Sequence, residues 1–178
     1  MTEATGKHAT VSTDPAAAMH AGSENWVRLL HRIARRYAHL PIGRKLLVCE
    51  AVIWLALARL ALLFVPFRHL AARFGTIADA RAPAVPSSLA EAREPLVRDV
   101  GWAVTRSARY VPFRAVCLPQ AIAAQAMLRC RGVASVMHFG VMKSDGGSLL
   151  AHAWLDAGAI EVTGYPVGDQ FIEVARFV

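Results

Sequence analysis

Three cysteines in 178 residues, Cys49, Cys117 and Cys130, are too few and odd in number for a disulfide framework. They point to a reducing compartment, and the expected location is cytoplasmic. Acids are also scarce: 13 Asp or Glu stand against 20 Lys or Arg, for a formal net charge of +7. The N-terminus lacks the basic-then-apolar pattern of a signal peptide. The most apolar stretch is broken by charge, since Ala51 to Ala58 lies between Glu50 and Arg59, far short of the roughly 20 residues that cross a bilayer. No cysteine–histidine group has metal-ligand spacing, so neither metal nor cofactor is expected. No basic stretch is interleaved with aromatics, which argues against nucleic acid. What is abundant is apolar surface: 55% hydrophobic residues suffice for a real core in one domain with an N-terminal appendage.

The positive charge is concentrated. Trp26 to Arg73 holds nine Arg or Lys residues and one acid, Glu50. Such a segment suits a solvated basic face, an acidic peptide, or peripheral contact with an anionic membrane surface. Residues 1–24 are polar and aperiodic and read as a disordered leader. Residues 25–74 read as a basic and apolar helical region: a helix over Asn25 to Leu40 with an arginine face, then an apolar helix from Arg44 that Pro66 interrupts. Residues 75–88, with Pro83, Pro86 and two serines, read as a linker. Ser88 and Glu91 can form a capping box for a helix reaching about Tyr110, in which Pro95 marks either a kink or a fresh start.

After Gly132 the hydrophobic period changes from helical to alternating. Strands are expected over Val133 to Val141, Leu149 to Asp156, Ala159 to Thr163 and Phe171 to Val178, joined by turns at 143–147, Ala157-Gly158 and 164–168. Helices first and an antiparallel sheet second make an α+β fold, with residues 89–178 as its core.

The chemistry gathers at Arg114-Ala115-Val116-Cys117-Leu118-Pro119-Gln120. Pro119 suits a first helical turn and Gly132 a helix end, so Cys117 falls at the start of an alanine-rich helix. Backbone N–H groups and the helix dipole favour a thiolate there. Downstream, Ala151-His152-Ala153-Trp154-Leu155-Asp156 sets a histidine in a strand. A cysteine at a helix start with a histidine on a later strand is a nucleophile-and-base arrangement. A two-residue turn at Ala157-Gly158 pairs Asp156 with Ala159, Trp154 with Glu161, and His152 with Thr163. Glu161 is then diagonal to His152 and is the candidate that orients its imidazole. Asp156 shares the face but lies about 13 Å along the strand. His138, the rival base, reads as an ordinary edge or core histidine. Cys49 and Cys130 read as small core or surface residues.

From about Leu46 to the C-terminus the chain resembles the B proteins of lasso peptide biosynthesis, a bacterial branch of the transglutaminase-like cysteine protease superfamily. The matching pieces are Glu50-Ala51 to Leu63 with Pro66-Phe67-Arg68, then Phe113 to Ala121 around Cys117, Leu128 with Arg131-Gly132-Val133, Phe139-Gly140-Val141, and Ala151 to Leu155 around His152. Together they cover roughly three quarters of the chain. The resemblance implies a transglutaminase- or papain-like core whose Cys117 helix packs on an antiparallel sheet. It implies a cysteine peptidase that cuts a ribosomal precursor peptide between leader and core. A leader-recognition protein and an ATP-dependent lasso cyclase are the implied partners. The fused recognition domain of some relatives is not expected, since Met1 to Leu40 is too short and too polar for it. The family's usual third member is an Asp shortly after the His-Ala-Trp strand. Here that region reads Val162-Thr163-Gly164-Tyr165, so the resemblance extends to Cys117 and His152 and not to Glu161. Two other readings fit the same residues: a non-catalytic peptide-binding adaptor, and a transglutaminase-like acyltransferase or amidase.

Overall fold

A computed structural model describes residues 37, 39–66, 68–70, 91–144 and 146–178, and the backbone at 77–78. The chain divides into two units, Met1–Leu40 and Pro41–Val178. The expected leader over 1–24 lies outside the described residues, as does the arginine-faced helix except near its end.

The second unit opens with α1 (Ile42–Phe64). Strand β1 (Ile77–Ala78) follows, then a 3-10 turn (Glu91–Arg93), α2 (Glu94–Ala108) and α3 (Cys117–Arg129). Four strands close the chain: β2 (Val136–Lys143), β3 (Leu149–Ala157), β4 (Ile160–Thr163) and β5 (Ile172–Phe177). The strand order is β1-β5-β2-β3-β4 and every neighbouring pair is antiparallel. The fold is α+β, as the change of period implies. The stretch expected to be a linker contributes β1 to this sheet, and the remainder of 75–88 lies outside the described residues. Within the second unit, α1 packs against both α2 and α3.

Helix α1 ends where its sequence says it must. Val65 is extended ahead of Pro66, whose ring disfavours a helical residue before it. Its inner face buries Val48, Ala51, Leu55 and Ala58. Two ion pairs flank that face. Arg44 bonds Asp99 of α2 at 2.8 Å and lies over the Trp102 ring. Arg131 grips both oxygens of Glu50, at 2.5 and 2.8 Å, so Glu50 is turned inward and paired. Pro95 stands in the first turn of α2 and marks a fresh start after the 3-10 turn, not a kink. Helix α3 is central, contacting α1, α2, β3 and β4. Ala121, Ala123, Ala124, Met127 and Leu128 are fully buried in it. Alanine at three of these positions lets neighbouring backbones come close on several sides.

The β3–β4 register differs from expectation. The turn is Gly158-Ala159, closed by Ala157 opposite Ile160, with Asp156 opposite Glu161 and Leu155 opposite Thr163. Gly158 has φ of +61°, the first-position requirement of a type II′ turn, which an alanine there would resist. That places glycine first and alanine second, moving the hairpin on by one residue. An irregularity between Leu155 and Asp156 then shifts the remaining pair. Thr163 therefore does not face His152, and Glu161 lies beside Asp156.

Candidate active site

Cys117 is the first residue of α3 and is partly exposed. Among the described residues no side-chain cap bonds the start of this helix, which leaves the N–H groups of Cys117 and Leu118 as candidate donors; Pro119 has no N–H to offer. The Gln120 side chain reaches back to the Ala115 carbonyl at 2.7 Å and ties the helix start to the preceding loop. Cys49 and Cys130 are both exposed.

His152 sits on β3, opposite Gly140 of β2. Alternation sends Ala153, Leu155 and Ala157 toward the helices, where they are fully buried or nearly so. His152, Trp154 and Asp156 share the other face. Strand β4 is an edge strand and β5 lies beyond β2, so residues 164–171 must cross β3 and β2 to connect them. The crossing covers the His152 face. His152 Nε2 donates to the Gly164 carbonyl at 2.6 Å, and the Phe171 ring lies 5.2 Å from the imidazole. The Trp154 ring also stacks on it, at 6.1 Å.

Glu161 does not orient this histidine. It is exposed, and its partner Asp156 is four residues along β3 from His152, roughly 13 Å by strand rise. The group that bonds the imidazole is the Gly164 carbonyl. Gly164 has φ of +87°, and a side chain there would meet the Ala153 carbonyl at 2.5 Å and Trp154 at 2.8 Å. Only glycine brings a backbone carbonyl this close to β3. A carbonyl can only accept, so the proton is on Nε2 and Nδ1 is the basic nitrogen. Helix α3 packs against β3 on the Ala153 and Leu155 side, so Cys117 and His152 are carried on neighbouring elements but are not brought into contact. Among the described residues Cys117 Sγ makes no hydrogen bond, to His152 or to any other group.

His138 proves to be neither an ordinary core residue nor a free base. Its Nδ1 lies 2.7 Å from Glu173 and its Nε2 3.1 Å from Asp156. Both carboxylates accept, so both ring nitrogens donate and the imidazole is held charged. Arg176 bonds both oxygens of Glu173 at 2.9 Å, Tyr165 donates to Asp156 at 2.5 Å, and Trp154 stacks flat on His138 at 5.4 Å. Periodicity put Asp156 on the His152 face and His138 in a separate strand but could not pair the two, because the strands' mutual register is a tertiary fact.

The cluster carries a pH signature. Burial pulls the His138 pKa down, but hydrogen bonds to Asp156 and Glu173 outweigh it, and the value is raised above 6.5. Burial likewise pushes Glu173 up, and its bonds to Arg176 and His138 bring it below 4.5. A raised histidine contributes stability fully present below its unfolded pKa and lost as pH rises through the folded value. A lowered carboxylate contributes stability present above its unfolded pKa and lost as pH falls through the folded value. The cluster is therefore worth most between about pH 4.5 and 6.5. His138→Gln should lower the melting temperature most at pH 6, and the gap from the parent should shrink toward pH 9. A gap that stays constant over that range would refute the assignment.

A family model of the transglutaminase-like superfamily matches residues 61–176. The match spans well over half of the chain, and the protein belongs to that superfamily, whose members are typically cysteine-protease-like enzymes. No curated protein and no solved structure matches the chain significantly.

Proposed function

We propose that the protein is a cytoplasmic cysteine peptidase that removes the leader from a ribosomally made lasso precursor peptide, with Cys117 as nucleophile and His152 as base. The observation that supports this reading is the bond from His152 Nε2 to Gly164, which leaves Nδ1 as the nitrogen able to accept a proton. His152 Nδ1 takes the Cys117 proton, and Sγ attacks the scissile carbonyl. The Cys117 and Leu118 N–H groups receive the oxyanion. The imidazolium then protonates the leaving amine, and a thioester remains. Water, deprotonated by Nδ1, attacks the thioester and restores the thiol. A carbonyl lacks the charge of an aspartate, so it orients the imidazole without stabilising its positive charge as strongly. The released core amine is the group that an ATP-dependent cyclase would join to a carboxyl, and a separate leader-recognition protein would deliver the precursor.

The test is incubation of the purified protein with precursor peptide, with and without the recognition protein, read by mass spectrometry. Two fragments whose masses sum to the precursor plus one water support hydrolysis. Precursor binding without any fragments favours the non-catalytic adaptor, for which the absent triad carboxylate is the specific argument.

The outer face of α1 supports a peripheral membrane contact within this reading. Ile42, Leu46, Ile53, Leu57, Leu60 and Phe64 recur along one side and are 48–79% exposed. The helix is long and apolar enough to cross a bilayer. Its opposite side, however, is packed on α2 and α3 and carries the Glu50–Arg131 pair. An apolar face in a strongly basic segment fits an interfacial helix on anionic lipid. High salt or carbonate should release the protein from membranes; retention until detergent is added would mean a spanning helix.

A further inference from the structure

We propose that Tyr165 and Asp156 are positioning residues that hold the Gly164 carbonyl on His152, doing through a crossing segment what a triad acid does directly. The inference rests on the reading of His152 as the base and goes beyond it by assigning what fixes the base.

Gly164 begins the segment that crosses the sheet face, and a backbone carbonyl is only as well placed as the segment carrying it. The next residue, Tyr165, sends its hydroxyl to Asp156 Oδ1. Asp156 is held in turn, since its Oδ2 accepts from His138 Nε2 at 3.1 Å. His138 is tied to Glu173 of β5, and Glu173 to Arg176. The crossing segment is thus anchored within one residue of Gly164 to a hydrogen-bonded chain running over β3, β2 and β5. The rings repeat the connection: Trp154 lies against both His138 and His152. The titratable groups facing the cluster are His138, Asp156, Tyr165, Glu173 and Arg176, with Glu161 opposite Asp156 on β4. Asp156 is too far along β3 to touch His152, yet it reaches Gly164 through Tyr165. The Nε2 contact is 2.6 Å, so a shift of about 1 Å takes it beyond hydrogen-bonding range.

The test uses the full chain with its precursor peptide. Tyr165→Phe removes one oxygen and keeps the ring. It should lower kcat by roughly ten- to a hundredfold, the cost of a misplacement near 1 Å, while KM stays within about threefold. Asp156→Ala removes the acceptor from the other side and should give the same fall in kcat at little-changed KM, and the double variant should be no slower than the slower single one. Nitrogen-15 NMR of the imidazole supplies a readout independent of activity: the Nε2–H tautomer of His152 should dominate in the parent and lose its dominance in Tyr165→Phe. Parent-like kcat and tautomer in Tyr165→Phe would overturn the proposal. If His152→Ala retains full activity, the peptidase reading fails on its own, and the NMR comparison still decides whether Tyr165 positions the ring.

Discussion

Cys117→Ala should yield a folded protein that has lost leader removal by a factor on the order of 10⁴ or more, the scale of deleting an enzyme's nucleophile. The fold should survive because Cys117 is only partly buried and takes part in no hydrogen bond among the described residues. Little packing is lost and no buried donor is stranded. Reactivity provides a second measurement. Cys49 and Cys130 are more exposed than Cys117, so access alone would label them first. Iodoacetamide near pH 6 should nonetheless modify Cys117 fastest if it is the nucleophile, since the thiolate is the reactive form. Faster labelling of Cys49 or Cys130, or full activity in Cys117→Ala, would sink the nucleophile assignment.

Gly164→Ala should be nearly as damaging by a different route. Its backbone is in the left-handed region, which costs a residue with a Cβ about 1–2 kcal/mol. The added methyl also meets the Ala153 carbonyl and Trp154 Cα, backbone atoms of a paired strand that cannot step aside. Overpacking of this kind costs about 1–3 kcal/mol more. The sum, about 2–5 kcal/mol, is a large part of the 5–15 kcal/mol typical of a domain. Relief requires the 164–171 crossing to lift from the sheet, and the carbonyl then leaves His152. A drop in melting temperature together with a large fall in kcat is expected. Glu161→Gln is the matched control: exposed and opposite Asp156, it should change the rate by less than about twofold. A stable, active Gly164→Ala, or a Glu161→Gln variant slowed tenfold, would return the orienting role to the side chain.

Much of this molecule is legible in local sequence. Pro66 closes α1, Pro95 opens α2, and the run from Cys117 through Pro119 to Gly132 delimits α3, because proline and glycine act on their own backbone and that of the adjacent residue. The change of period after Gly132 announces the sheet for the same kind of reason: alternation is a property of one strand by itself. Cys117 and His152 stand out as residue types at such positions. Their partner does not, since a backbone carbonyl belongs to every residue and bears no signature. The hairpin shows how small the gap can be. Whether Gly158 takes the first or second place in a two-residue turn moves Glu161 from a neighbour of Trp154 to a neighbour of Asp156. Local sequence thus determined the order of the helices and main strands, the α+β class and the two candidate side chains. Tertiary structure alone decided the register, the crossing of 164–171 over β3, and the pairing of His138 with Asp156 and Glu173. Those depend on where distant strands meet, and that is settled by packing and turn geometry across the whole sheet.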